Sequence, residues 1–500
     1  MKNLRTWIGQ LYAREGFRGP VMTLLSGTAV TFVISYLALP VLTRLFTTQA
    51  FGISDYFITI VSVLTALASL RYEEAVMLPE RDQRARTVLW LAGIITIGVT
   101  AMVAVGSLWS REITSLLGAP EEIAPWLWLV APALLLIRFG KLAEAWLTRK
   151  RAFRTITGAE ATNKIAIISS RIGLGAGTPL GAGGLILGFI TGQALGAAYF
   201  GAALLRRNRA PDARRPSMSE LRSVARRYRR FPLYAMPSSL LNTVLGRLPV
   251  LLLPVYFGWD VTGLYGRAFA VLAIPLSLIG TAVAQVFFVD GATAHRENRL
   301  AGFTESVHAR LVMVGMFPCM LLIAAGPELF AFVFGAGWRA AGVYEQYLAC
   351  WFFLSAVASP LTRLFDILEL QRAELGISIG SFLLLAAALF WGGNTGNVLL
   401  TMGLMAGAGA FARIFQIAAM LKFAKVSLRR AGGAYIRYAL IALPPVACVW
   451  LARGVWPAWA VALTAIAAGA AYFGFVVWRE KMWPGANGTP ATSQRDENEE

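Results

Sequence analysis

Long apolar segments alternate with short polar connectors along most of the chain. They recur at roughly residues 22–42, 51–70, 88–108, 124–146, 156–176, 180–205, 233–256, 263–289, 307–334, 343–365, 375–391, 397–421, 434–452 and 456–478. A helix needs about 20 apolar residues to cross a bilayer, so each segment is long enough for one span. The pattern therefore predicts an all-α integral membrane protein with fourteen transmembrane helices.

Composition strengthens this prediction and excludes several kinds of chemistry. Hydrophobic residues make up 57% of the 500 residues, and charged residues make up 15%, against about 25% charged in soluble domains. Cys319, Cys350 and Cys448 all lie in apolar runs without CxxC spacing, and the two histidines, His295 and His308, form no ligand cluster. No metal site or cofactor is expected. Because no GxxxxGK[ST] sequence occurs, direct ATP hydrolysis is not expected either.

The net charge is +19, and the Lys and Arg residues are distributed unequally among the connectors. One set of connectors and both termini carry nearly all the connector Lys and Arg, including a basic linker at 206–231. The opposite connectors contain only Arg44, Arg111, Arg339 and Arg453. Positive loops stay in the cytoplasm, so both termini are predicted to be cytoplasmic. Nucleic acid is not an expected partner, since no basic stretch is interleaved with aromatic residues.

An internal repeat predicts two lobes. Thr48 to Gly52 resembles Val261 to Gly263, and Leu116 to Gly118 resembles Val333 to Gly335, at offsets close to 211 and 217. Six spans per repeat would relate the lobes by a pseudo-two-fold axis along the membrane normal, around a cavity suited to transport. The predicted order is an interfacial helix at 1–20, a first lobe at 21–205, the linker at 206–231, a second lobe at 232–422, two further helices at 423–482 and a disordered acidic tail at 483–500.

Three stretches carry a family resemblance. Pro40 to Gly52 (PVLTRLFTTQAFG), Leu70 to Pro79 (LRYEEAVMLP) and Ile274 to Phe288 (IPLSLIGTAVAQVFF) resemble the polysaccharide-exporter, or Wzx-type, flippases of the MOP superfamily. The resemblance implies a MATE-like fold and a non-enzymatic protein. It would move undecaprenyl-pyrophosphate-linked glycans from the cytoplasmic to the periplasmic leaflet by alternating access, for exopolysaccharide or lipopolysaccharide synthesis. The partners that the resemblance implies are a polysaccharide polymerase and chain-length machinery.

Such a cargo would need cations within the membrane, because pyrophosphate cannot cross hydrocarbon unassisted. Most of the intramembrane cations either have an acid nearby on the same helix or lie near a span end. The helix pairs expected on this basis are Lys141 with Glu144, Lys164 with Glu160, and Arg363 with Asp366. The remaining cations have no acid within four residues, and they are Arg138, Arg247, Arg267 and Arg413. We expect these four to bind the pyrophosphate or line the cavity, with Arg247 the strongest candidate.

Other assignments stay open at this point. Asp55, in the second span, could couple transport to an ion or pair with an arginine such as Arg247. Glu73 and Glu74, beside Arg71, are expected to form a charge cluster at the membrane surface. A MATE-like cation-coupled multidrug exporter would share the architecture, although the first span contains no acid. A membrane polysaccharide polymerase is the enzymatic alternative, but the predicted outer connectors are short.

Overall fold

The computed structural model describes residues 34–207 and 216–482, and these ranges contain helical elements and no β-strand. This result confirms the all-α class. The predicted interfacial helix at 1–20 and the predicted acidic tail at 483–500 lie outside the described residues, as does part of the basic linker.

The contacts within the chain divide it into two compact units, with the division between Gly263 and Leu264. The helices that begin in the first unit are α1 (Ile34–Leu45), α2 (Thr48–Leu67), α3 (Asp82–Gly106), α4 (Val130–Arg149), α5 (Phe153–Gly177), α6 (Ala182–Arg207), α7 (Met218–Arg227) and α8 (Met236–Arg296). Gly258 (φ 79°) has non-helical backbone angles and breaks α8. The first part of α8 therefore groups with the preceding helices, whereas the sequence places the start of the second lobe at 232.

Among the described residues, the second unit contains the rest of α8 and six further helices of more than twenty residues. These are α9 (Leu300–Phe334), α10 (Arg339–Leu361), α11 (Gln371–Asn394), α12 (Val398–Phe423), α13 (Leu428–Ala452) and α14 (Ala458–Met482). Helix α9 packs extensively against α10 and α13, and α12 packs against α10 and α11.

Eleven helical stretches of the described residues are long and apolar enough to cross a membrane. The predicted fifth span coincides with α5, which is long enough but carries Arg154, Glu160, Lys164 and Arg171. The predicted seventh and eighth spans both fall within α8, which is interrupted at Gly258. The predicted first span begins before the described residues. The chain is therefore a multi-pass membrane protein, while the number fourteen stays a prediction.

Small residues allow close helix contacts in the first unit, where Gly188, Gly192 and Gly196 recur at every fourth position of α6. A Cβ atom at Gly192 would lie 2.8 Å from the carbonyl oxygen of Asn163 on α5, and the Asn163 Nδ2 donates to the Gly192 carbonyl at 3.1 Å. In α12, by contrast, Gly407 has open space around it. Gly409 makes the close contact there instead, against Trp351.

Two glycines one repeat apart make a reciprocal contact. A Cβ at Gly52 on α2 would overlap the carbonyl of Trp259, and a Cβ at Gly263 would overlap the carbonyl of Thr48. Each glycine thus approaches the carbonyl four residues before the other, so the two helix segments cross symmetrically. The offset of 211 found in the sequence relates both halves of this contact.

Candidate functional site

The first cationic site is a buried ion pair at the loop between α2 and α3. Arg138, on α4, is 3% exposed, and its Nη2 lies 2.8 Å from the Oε1 of Glu73. The Ser69 hydroxyl donates to the other Glu73 oxygen and accepts from Arg138. The Arg138 charge is therefore compensated within the protein.

The turn of the loop explains how Glu73 reaches α4. Leu70 and Arg71 adopt left-handed backbone angles (φ 50° and 62°), and a 3-10 turn follows at Tyr72–Met77. This turn directs Glu73 inward, whereas Arg71 pairs with Glu74 at 3.1 Å on the surface. The expected surface cluster thus forms from Arg71 and Glu74, and Glu73 has a different role.

The environment of Glu73 keeps its carboxylate charged. Burial raises the pKa of Glu73. The Arg138 charge and the hydrogen bonds from Ser69 and Arg138 lower this pKa by more than burial raises it, so it lies below its usual value. Opposite charge and hydrogen bonds to the ionised form both act in this direction.

Further contacts hold the same loop against α4 and α7. The Arg149 guanidinium donates to the carbonyls of Val76 and Glu80 at 3.0 and 3.1 Å, and its Nε lies 2.9 Å from the Oδ1 of Asp82. The Tyr72 hydroxyl donates to the carbonyl of Ala225 on α7 at 3.2 Å. The loop is therefore a fixed part of the first unit.

Arg247 has a different environment. It lies in the first part of α8 between buried and half-buried apolar residues, and it is itself half-buried. Across 34–207 and 216–482, no residue forms an ion pair or hydrogen bond with its side chain. The described residues therefore do not compensate the positive charge of Arg247.

An apolar crevice begins one helical turn from Arg247. Its volume is about 330 Å³, and Leu251, four residues after Arg247, contributes to its wall. The other lining residues come mainly from α2, α3 and α4, and they are Ile60, Val63, Leu64, Val103, Gly106, Ser107, Ile113, Leu127 and Val130. Residues four apart share a helix face, so a cation and an apolar surface adjoin on this face.

The second unit contains Arg413, on α12. Its Nε donates to the Ser355 hydroxyl on α10 at 3.2 Å, and its Nη1 donates to the side-chain oxygen of Gln416. Both partners are neutral, so they orient the guanidinium without compensating its charge. Arg267 and Asp55 are half-buried, and each interacts with another group. Substrate binding by the four arginines and ion coupling by Asp55 stay predictions.

The sequence-based search missed one buried acid. Glu345, on α10, is 0% exposed, and neither carboxylate oxygen has a hydrogen-bond partner among the described residues. The criterion that singles out the four arginines is an intramembrane charge without an opposite charge within four residues. Glu345 meets the same criterion, because no Lys or Arg lies within four residues of it. The expected helix pairs are confirmed for Lys141 with Glu144 and for Arg363 with Asp366, at 2.7 and 3.0 Å. The described residues show no ion pair between Lys164 and Glu160.

Comparison with known proteins places the chain in a family. The family model described as "Polysaccharide biosynthesis protein" matches residues 41–342. The chain belongs to this family. A relative from Rhizobium meliloti (strain 1021), "Succinoglycan biosynthesis transport protein ExoT", is 24% identical over 321 residues, which cover 62% of this chain and 60% of the relative.

Solved structures identify the fold. The lipid II flippase MurJ in an inward closed conformation gives a TM-score of 0.73 at 10% identity, covering 93% of this chain and 99% of that one. An inward-facing multidrug resistance MATE transporter of the MOP superfamily gives 0.60 at 12% identity, covering 79% and 96%. The fold of this family member is thus the one that MurJ and this MATE transporter share, as the resemblance implies. The compared proteins are transporters and a flippase, in agreement with the expectation of a non-enzymatic protein.

Proposed function

We propose that this family member is a flippase that moves an undecaprenyl-pyrophosphate-linked glycan from the cytoplasmic to the periplasmic leaflet of a bacterial inner membrane by alternating access, with both termini in the cytoplasm. Family membership supports a role in polysaccharide biosynthesis, and the likeness to MurJ supports a fold compatible with lipid translocation. A polysaccharide polymerase and chain-length machinery would then act on the exported units.

The observation that carries the proposal is the uncompensated charge of Arg247. An arginine in an apolar helix is costly unless it is paired, reaches the membrane surface or faces water. Arg247 has no protein partner across the described residues, so an anionic ligand would supply the missing interaction. Guanidinium groups suit phosphate because they can donate two parallel hydrogen bonds.

The crevice beside Arg247 supports a lipid rather than a soluble anion. Its walls are almost entirely apolar, and apolar surface favours an acyl or prenyl chain through the hydrophobic effect. A cation next to an apolar crevice matches a ligand with a charged headgroup and a hydrocarbon chain. Arg413, held by neutral groups, and Arg267 are the further cations that we assign to the passage of the headgroup. Arg138 is the weakest of the four candidates, because Glu73 already compensates its charge.

The test compares Arg247→Ala and Arg247→Lys with the wild type in a host from which the native gene has been deleted. We expect normal amounts of both variants in the membrane, loss of export in Arg247→Ala and partial export in Arg247→Lys. The stranded lipid-linked units should be inaccessible to a glycan-modifying enzyme added on the periplasmic side. Arg111→Ala, on an exposed connector, is the matched control and should export normally.

Three outcomes would count against the proposal. Normal export by Arg247→Ala would reduce Arg247 to a packing residue. Lipid-linked units that are exported but unpolymerised in the deletion strain would indicate a polymerase. Unchanged glycan export in the deletion strain, together with increased sensitivity of that strain to drugs, would indicate a multidrug exporter.

A further inference from the structure

Glu345 lies inside the second unit, where helix α9 is broken. Ala325 has non-helical angles (φ −139°, ψ 22°), and Pro327 follows two residues later. Proline has no N–H group, so Pro327 cannot donate to the carbonyl of Ile323, four residues earlier. The break therefore leaves carbonyl groups that need partners from other helices.

Side chains of α10 and of the residue directly after α13 provide these partners. The Gln346 Nε2 donates to the Ile323 carbonyl at 2.7 Å, and Arg453 donates to the Ala324 carbonyl. The backbones of α9 and α10 also meet here, because a Cβ at Gly342 would lie 2.6 Å from the Cα of Pro327. Glu345 thus stands next to the residue that satisfies the break and within one turn of the backbone contact.

Among the described residues no cation pairs with Glu345, and Arg453, the cation at the break, donates to the Ala324 carbonyl. Helix α10 packs chiefly against α9 and α12. The ionisable residues of these helices, and those near Glu345 on α10, are Glu305, His308, Arg310, Cys319 and Glu328 on α9, Arg413 and Lys422 on α12, and Tyr344, Tyr347 and Cys350 on α10.

The cations of these helices are engaged elsewhere or are distant. Arg339 pairs with Glu328 at 2.8 Å. Arg413 contacts Ser355, which lies ten residues beyond Glu345 in the sequence, or about 15 Å along the helix. His308 contacts the Tyr435 hydroxyl at 3.2 Å. A charged Glu345 would therefore be both desolvated and unpaired, which is very costly, whereas a neutral carboxylic acid is tolerated.

We propose that Glu345 is a proton-binding site of the second unit, and that its ionisation requires the α9–α10 interface to open at the break in α9. A single carboxyl group without further oxygen ligands suits a proton better than a sodium ion. Release of the proton would leave a carboxylate that must gain water or a donor. At the break, the Ile323 carbonyl depends on the Gln346 side chain of α10 and not on its own helix, so the break is the place where the two helices can separate. The coupling of this site to transport rests on the proposed function, but the binding of the proton does not.

The direct test is an infrared pH titration of the purified full-length protein in lipid vesicles. We expect the wild type to show the C=O stretching band of a buried carboxylic acid at neutral pH, and Glu345→Gln to lack this band. Glu297→Gln, at an exposed position, is the control and should keep it. A wild-type spectrum without a band sensitive to Glu345→Gln would overturn the proposal. A band that disappears on addition of sodium ions at constant pH would overturn it as well, in favour of a metal-cation site.

A second measurement tests the coupling. Flipping of a fluorescent lipid-linked oligosaccharide is followed in the same vesicles with and without a pH gradient. We expect the wild-type rate to respond to the gradient, and Glu345→Gln to keep a basal rate and lose the response. An equal response in both proteins would overturn the coupling. If the wild type does not flip the lipid at all, the proposed function fails, and the infrared result still decides whether Glu345 binds a proton.

Discussion

Arg138 and Arg247 differ in their surroundings although their local sequences look alike. Both are arginines in apolar helices of the first unit, and neither has an acid within four residues. Glu73 and Ser69 enclose Arg138, whereas Arg247 has no ion-pair partner in the described parts of the chain. The role of an intramembrane cation therefore depends on whether a loop folds back to it.

The largest expected difference between the two arginines is in stability. Replacing Arg138 with Met leaves the buried Glu73 carboxylate unpaired, which should cost about 3–5 kcal/mol of unfolding free energy. Replacing Arg247 with Met removes no partner, so the change should stay within about 0.5 kcal/mol. Unfolding in detergent, followed by tryptophan fluorescence, measures both. Equal losses of stability in the two variants would show that Arg247 also has a structural partner.

A double substitution isolates the pair itself. Adding Glu73→Gln to Arg138→Met removes the stranded charge, so the double variant should be more stable than Arg138→Met alone. Contacting residues of this kind show interaction free energies of about 0.5–3 kcal/mol in such cycles. The same cycle with Glu73→Gln and Arg247→Met should be additive. Non-additivity in this second cycle would show that Arg247 is energetically coupled to Glu73.

Acid should weaken the first region selectively. The pKa of Glu73 is lower in the folded protein than in the unfolded chain. Its contribution to stability is therefore complete above the unfolded pKa, about 4.3, and is lost as the pH falls through the folded pKa. Below about pH 4.3 the wild type should lose stability more steeply than Glu73→Gln. Parallel pH profiles would mean that Glu73 gains nothing from Arg138.

The sequence predicts the helices far better than it predicts the partners of the charges. Apolar length is a local property, so the spans and the helix pairs at i, i+3 could be found from spacing alone. Glu73 is 65 residues from Arg138 in the sequence, and their contact depends on the left-handed turn at Leu70 and Arg71. Neither residue is a glycine, so the sequence carries no clear signal for that turn.

Glu345 illustrates the opposite case, in which a signal exists in the sequence. An acid in an apolar span without a nearby base stands out in the same way as Arg247 does. What the sequence cannot supply is the break in α9, because Pro327 alone does not show which carbonyls lose their partners or that Gln346 reaches Ile323. The environment of the acid had to come from the packing of α9 and α10.

The smallest expected effect concerns the exposed charges beside the same loop. Asp82 lies 2.9 Å from Arg149 and also contacts Lys150, but the Asp82 side chain is 46% exposed. Exposed pairs contribute about 0.2–1 kcal/mol and are screened by salt. Asp82→Asn should therefore lower the unfolding free energy by less than Arg138→Met does, and raising the salt concentration should reduce the difference from the wild type. Arg149 keeps its hydrogen bonds to the carbonyls of Val76 and Glu80 in this variant, so the loop should still reach Arg138. A loss as large as that of Arg138→Met would mean that the surface contacts, rather than the buried pair, hold the loop in place.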